Sequence, residues 1–377
     1  MKNSKLHQKL FTLLTTSLIF LTSFSAFANK ENHNNDEKAN PVNTQEEINA
    51  YIQHHVKDSH DFHLFSTFSD KGEETYWGFP LPVILWGENG FCFFMSSKFH
   101  HDDAGKEIVE CDESRFVKVH GTIYELNEGA STVEFDEAHH PVNASKPFDL
   151  SITKSVFGIL LFGLMMFLMF RGLAKQYKNK DVPTGFGRVL EPLVIYVRDE
   201  IAKPNIGPKY RKFTGYLMTV FFFIWLSNLM GLMPFGFNIT GQLAVTVCLA
   251  LITFIVYMAS SNGHFWSHQL WMPGVPYLLR PILAIIELAG TLIIKPFSLA
   301  VRLFANITAG HIVLMSLIAI GINMQDAMSP VGSTILSLIL STFITLIELL
   351  VAFLQAYIFT MLSALFIGMA VEEPEHH

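Results

Sequence analysis

Three side chains in the last third of the chain, Arg302, His311 and Glu348, are of types that handle protons and charge, and each lies in a long apolar run. A charge at mid-bilayer depth costs about 2.5–3.5 kcal/mol on insertion scales. Guanidinium cannot avoid that cost by losing its proton, because its pKa lies above about 12. Arg302 therefore needs a water-filled cavity, a partner carboxylate, or a path by which it snorkels to the interface. Histidine exchanges its proton near neutral pH, and a glutamate can also take up and release one. Arg302 cannot exchange its proton, which assigns it a different job from the other two.

Helix geometry orders these groups. At 100° per residue, Asn306 lies about 40° round the helix from Arg302, whereas His311 lies about 180° away. The helix through residues 295–314 thus has two functional sides. Ala300, Ala305, Ala309 and Gly310 would let a neighbouring helix come close. Glu348 and Gln355, seven residues apart, fall nearly on one stripe of the next helix. Blander readings exist for each: Glu348 as a structural ion pair with Arg302, Asn306 and Gln355 as interhelical hydrogen-bonding glue.

The motif SLAVRLFANITAGH carries an arginine, an asparagine four residues later, and Ala-Gly followed by a titratable residue. With ELLVAFLQAYIFTML, which holds Glu348 and Gln355, it resembles the subunit a family of the rotary F-type ATP synthase. In that family the positions of His311 and Glu348 exchange identities between glutamate and histidine; this chain has the His/Glu form. The similarity extends more loosely over residues 150–370 and thins out in the N-terminal third.

The resemblance implies a non-catalytic stator subunit beside a rotating c-ring whose subunits each carry one membrane carboxylate, with b subunits as further partners. It implies that His311 and Glu348 relay protons from the extracytoplasmic side to that carboxylate, with Asn306 and Gln355 orienting the groups. Arg302 would face the rotor, favour the ionised carboxylate, and block direct leakage between the two half-channels. Asn228, Asn238 and Thr240 are candidates to line the outer half-channel. Glu287 is a further candidate, although its spacing to Lys295 is one residue longer than is usual in the family. No metal or cofactor is expected.

The elements that must position these groups follow from composition. Half of the 377 residues are hydrophobic and 16% are charged, too apolar for an ordinary soluble protein. The apolarity begins after residue 152 and the acidic excess lies before it, so an aqueous domain joins an all-α polytopic membrane domain. The net charge of −7 comes without a basic stripe for nucleic acid. No phosphate-binding glycine loop is present, so nucleotide chemistry must reside elsewhere.

Residues 1–28 read as a secretory signal, with Lys2, Lys5 and Lys9 before an apolar run and Ala26-Phe27-Ala28 at its end. Residues 29–150 then form a small, β-rich extracytoplasmic domain after a polar lead-in, with a short helix from residue 46. Strand-like runs cover 62–68, 76–86, 91–96 and 116–126, and Asn89-Gly90 and Asn127-Glu128-Gly129 supply turns. Ten of the sixteen histidines lie here, but adjacent pairs on a strand point to opposite faces and no zinc-site spacing occurs, so surface histidines are expected. Cys92 and Cys111 both fall on the oxidising side, where a disulfide can persist. Their separation in space is left to the fold.

The membrane domain, residues 151–377, holds spans expected at 152–173, 213–232 and 239–260, and two long segments at 280–322 and 331–370. Arg171, Lys175, Lys178 and Lys180 place the far end of the first span in the cytoplasm of a bacterial inner membrane. That puts the N-terminus outside and the C-terminus in the cytoplasm. Residues 186–210 are expected as an amphipathic helix at the surface. Forty residues without a turn signal would extend about 60 Å, twice the roughly 30 Å hydrocarbon core, so a steeply inclined helix is required. The competing class, a proton-coupled secondary transporter, usually shows internal repeats and broken mid-membrane helices; no repeated halves and no obvious cluster of polar residues for a substrate are evident.

Overall fold

The computed structural model describes residues 58–68, 74–100, 102–127, 129–130, 132–136, 141–179, 183–232, 238–271, 276–324 and 329–372. The signal, the lead-in, the helix expected from residue 46 and the turn at 233–236 lie outside the described residues. So do His54, His55, His101, His139 and His140.

The N-terminal part is built from short antiparallel strands. β1 (Asp61–Phe68) pairs with β2 (Glu74–Pro80). β3 (Pro82–Gly87), β4 (Gly90–Met95) and β9 (Phe148–Asp149) form a second sheet in the order β4-β3-β9. A third sheet runs β5 (Ala104–Cys111), β6 (Ser114–Val119), β7 (Thr122–Leu126), β8 (Ala144–Ser145). Alternation along β3 and β4 sends Val83, Leu85, Cys92 and Phe94 into a core with Phe99, Val109, Phe116 and Ile123. Cys92 and Cys111 are joined in a disulfide, their Cα atoms 6.1 Å apart.

Two expected strands are each two strands. The run 76–86 breaks at Leu81, which leaves the sheet to pack with Phe62, Phe162 and Ile239. The run 116–126 breaks at His120-Gly121, where φ is +48° and +78° and the chain reverses. β5 was not expected at all, because AGKEIVEC places charged residues among its apolar ones.

Helix α1 (Lys154–Asn179) carries the chain into the membrane domain. Its first turn is tied to the strands: Lys154 donates its N–H to the Ser59 carbonyl at 2.8 Å, and Ser155 to Asp58 Oδ1 at 3.0 Å. These bonds satisfy N–H groups that have no partner inside a helix.

The segment expected as a separate surface helix instead feeds the second span. α2 (Gly187–Tyr196), a π-helical stretch (Val197–Ala202), α3 (Lys203–Ile206) and a 3₁₀ turn (Gly207–Lys209) lead into α4 (Tyr210–Gly231). Val197, Ile201, Ala202 and Ile206 are buried in the same core as Leu217, Phe221 and Phe222, so this stretch is held by protein packing. After α5 (Leu243–Ala259) come α6 (Gly263–Leu270), unexpected from the sequence, and α7 (Arg280–Ala289). A π-helical turn, Gly290–Ile294, joins α7 to α8 (Lys295–Asn323). α9 (Pro330–Val371) has 42 residues, about 63 Å if straight.

Among the described residues, four helical stretches are long and apolar enough to cross a membrane: Lys154–Lys178, Gly187–Gly231, Arg280–Leu317 and Val331–Val371. Leu243–Ala259, at 17 residues, stands at the short end of the spanning range. The chain divides into two compact units. Residues 312–346 belong to one, in which the Ser337 hydroxyl donates to the Leu317 carbonyl at 3.0 Å. Residues 53–311 and 347–377 form the other. Its membrane core packs Phe221 and Phe222 with Ala300, Leu303, Ala356, Phe359 and Ala364; the small residues permit close helix approach. The end of α9 is capped by Asn262, which donates its N–H to the Ala370 carbonyl at 3.0 Å and its amide to the Val371 carbonyl at 3.1 Å.

Candidate functional site

Arg302 and His311 lie on different sides of helix α8, and Asn306, exposed beside Arg302, also lines the cavity of His311. Arg302 is exposed, and so are Ala305, Asn306 and Ala309 on the turns that follow. Among the described residues no carboxylate lies within ion-pair distance of Arg302; the structural pair with Glu348 does not form. The exposed flank is therefore a cation and an amide set among small residues, a surface another helix could approach closely.

His311, on the other side, shares a cavity of about 20 Å³ with Glu348, Asn228, Asn306, Gly310 and Ala352. That volume is room for about one water. Glu348 is buried, 9% exposed, and neither carboxylate oxygen has a hydrogen-bond partner. A buried polar group without a partner marks an ordered water or a functional role. The carboxylate can come this close to α8 because residue 310 is glycine: a Cβ there would stand 2.7 Å from Glu348 Oε1.

Near the end of α4 and the start of α5 three of the expected channel residues gather. Thr240 donates its hydroxyl to Asn228 Oδ1 at 2.6 Å, and the Asn228 amide reaches the Ala352 carbonyl at 3.4 Å. Asn228 thus links Thr240 to the cavity that holds Glu348. Asn238 is buried with both amide atoms unpartnered, and Gly241 leaves it room, since a Cβ would stand 2.1 Å from Asn238 Oδ1. Ser227 and Thr308 also carry buried, unpartnered hydroxyls. Gln355 is buried on the stripe of Glu348 but does not line its cavity.

Glu287 belongs to a second polar cluster. Gln269 donates to Glu287 Oε1 at 3.4 Å and to Thr291 Oγ1 at 2.9 Å, and Lys295 Nζ donates to Thr291 Oγ1 at 3.1 Å. The Tyr257 hydroxyl donates to the Thr291 carbonyl. The π turn Gly290–Ile294 lies between Glu287 and Lys295. A π turn takes up one extra residue within a helix, which accounts for the longer spacing while keeping both groups on one cluster. Gln269, Thr291 and Ser227 were not singled out from the sequence; a glutamine in the apolar, aromatic stretch around Trp266 and Trp271 was the one available signal.

Among its described residues the N-terminal β region offers no comparable constellation. Cys92 and Cys111 stand near Asp112, but the two sulfurs are already spent on each other. His60 Nε2 is 2.8 Å from Asp149 Oδ2, a contact that fastens β9 to the start of the β domain.

Residues 155–368 match the family model described as ATP synthase A chain, and residues 51–150 match one described as a domain of unknown function, DUF8433. Among similar curated proteins, ATP synthase subunit a 2 of Chlorobaculum tepidum is 40% identical over 257 residues, covering 67% of this chain and 72% of that protein. ATP synthase subunit a of Chloroherpeton thalassium is 42% identical over 251 residues, covering 64% and 73%. That of Myxococcus xanthus is 42% identical over 236 residues, covering 61% and 76%.

Proposed function

Because the chain belongs to the ATP synthase A chain family, a bacterial, multi-pass, non-catalytic stator subunit of the Fo sector, we propose that Arg302, Asn306, His311, Glu348 and Gln355 carry its proton translocation. The family role is proton transport coupled to ATP synthesis, within an assembly of several subunits. The finer assignment rests on one observation: Arg302 lies exposed among small residues with no carboxylate of its own chain beside it. A guanidinium cannot face lipid at that depth, so its counter-charge is the membrane carboxylate of a passing c-ring subunit.

Protons enter from the extracytoplasmic side along Asn238, Thr240 and Asn228, whose buried polar atoms can hold water. They pass to His311 and Glu348 and thence to the ring carboxylate. The neutral carboxyl group can travel through lipid; the ionised one cannot. When a protonated carboxyl completes its circuit and meets Arg302, the fixed positive charge favours the ionised form and the proton leaves. Glu287 with Gln269, Thr291 and Lys295 lines the exit. Arg302 also repels any proton that would cross directly between the two paths. The transmembrane potential supplies about 2.3 kcal/mol per charge per 100 mV.

The b subunits are the static partners. Residues 1–28 act as an export signal, 29–150 form the extracytoplasmic domain, and 151–377 the membrane domain, with the basic end of α1 in the cytoplasm. The relay is tested by Glu348→Gln in the assembled complex. Slower ATP-driven pumping with an altered pH dependence is expected; an unchanged rate and profile would remove Glu348 from the path.

A further inference from the structure

The second sheet of the extracytoplasmic domain has a bare apolar face. Along β3 and β4 the side chains opposite the core are Ile84, Trp86, Phe91, Phe93 and Met95. The register pairs Ile84 with Phe93 and Trp86 with Phe91, and β9 adds Phe148 opposite Trp86. Trp86, Phe91, Phe93 and Phe148 are each about 60% exposed or more. No charged residue interrupts this face. A contiguous aromatic surface of this kind on a chain in water marks an interaction site.

The height of that face is fixed by its connections to the first span. The Leu150 N–H donates to the Ile84 carbonyl at 2.9 Å, and Ile152 to the Pro82 carbonyl at 3.1 Å, so β3 is bonded to the residues that lead into α1. Leu81, just before β3, packs with Phe162 of α1. Phe162 lies eight residues, or about 12 Å, into that helix. Phe79, itself 40% exposed, meets the Phe157 ring at 5.3 Å between centroids. The bare face thus stands beside the start of α1, whose Val156, Leu160, Leu161 and Leu164 are exposed and apolar. Aromatic side chains favour the membrane–water interface.

We propose that the outward face of the β4-β3-β9 sheet is a membrane-docking surface, seated on the headgroup–acyl boundary of the leaflet at the N-terminal end of α1. Docking there holds the extracytoplasmic domain down on the bilayer beside the first span. Its occupant is lipid, whatever role the polar residues of α8 and α9 have.

The test uses the full-length chain alone in phosphatidylcholine liposomes and compares it with Trp86→Phe, a change that keeps the face apolar. The difference between the two isolates the Trp86 fluorescence. Nitroxide-labelled lipid with the label near the headgroup should quench that component at least about twofold, and aqueous iodide should leave it almost untouched. Introducing Phe93→Glu should reverse the pattern, raising iodide quenching and lowering nitroxide quenching. Iodide quenching of Trp86 in the otherwise native chain, without nitroxide quenching, would overturn the proposal. So would shielding that arises only when the remaining subunits are added, since a protein would then be the cover.

Discussion

Glu348 occupies the space that a side chain at position 310 would need: a Cβ on Gly310 would stand 2.7 Å from its Oε1 and 3.2 Å from its Cδ. The two helices are thereby held at a distance where the carboxyl group lines the same cavity as His311.

Gly310→Ala separates stability from transport. Only the far end of a flexible side chain obstructs the new methyl, and alanine gains about 0.5–1 kcal/mol over glycine within a helix. Assembly and thermal stability of the complex should therefore change little, while proton pumping falls several-fold because the carboxyl is displaced. Parallel measurements of complex yield and ATP-driven pumping check this. Equal losses in both would mean that the contact serves packing alone.

The junction between the β domain and α1 has its own pH dependence. Burial pushes the Asp149 carboxyl up, but hydrogen bonds from His60 and Ser151 outweigh it and hold the group down at about 2. An unfolded aspartate titrates near 3.9. The stabilisation is therefore fully present above about pH 4 and is lost as pH falls from there through about 2. At most about 2.6 kcal/mol is involved, less solvent screening of a carboxylate that is 30% exposed. Asp149→Asn should lower the unfolding temperature of the β domain at pH 6, and the gap to the parent should close toward pH 2. A gap that is constant with pH would contradict the assignment.

What the sequence made legible is the part that depends on short-range geometry. The phases of Arg302, Asn306 and His311 on one helix, and the unbroken length of Pro330–Val371, follow from residue spacing alone. The partition of the β domain was less legible. His120-Gly121 reverses the chain with positive φ at both residues but lacks the Asn-Gly or Asp-Gly signal of a two-residue turn. The π turn at Gly290–Ile294 has no composition of its own, and it shows only as an extra residue between Glu287 and Lys295. Gly310 could be read as a residue that admits a neighbour, yet which atom it admits is set by a contact 38 positions away. Gln269 likewise acquires meaning only when α6 is folded against Glu287 and Thr291. Long-range pairings of this kind leave no periodic trace.

The most direct measurement of the central claim is ATP-driven proton pumping by a complex carrying Arg302→Ala, with assembly verified by co-purification of all subunits. If the exposed guanidinium sets the charge of each passing ring carboxylate, pumping should disappear while the complex stays intact. An assembled Arg302→Ala complex that pumps at the parent rate would contradict it.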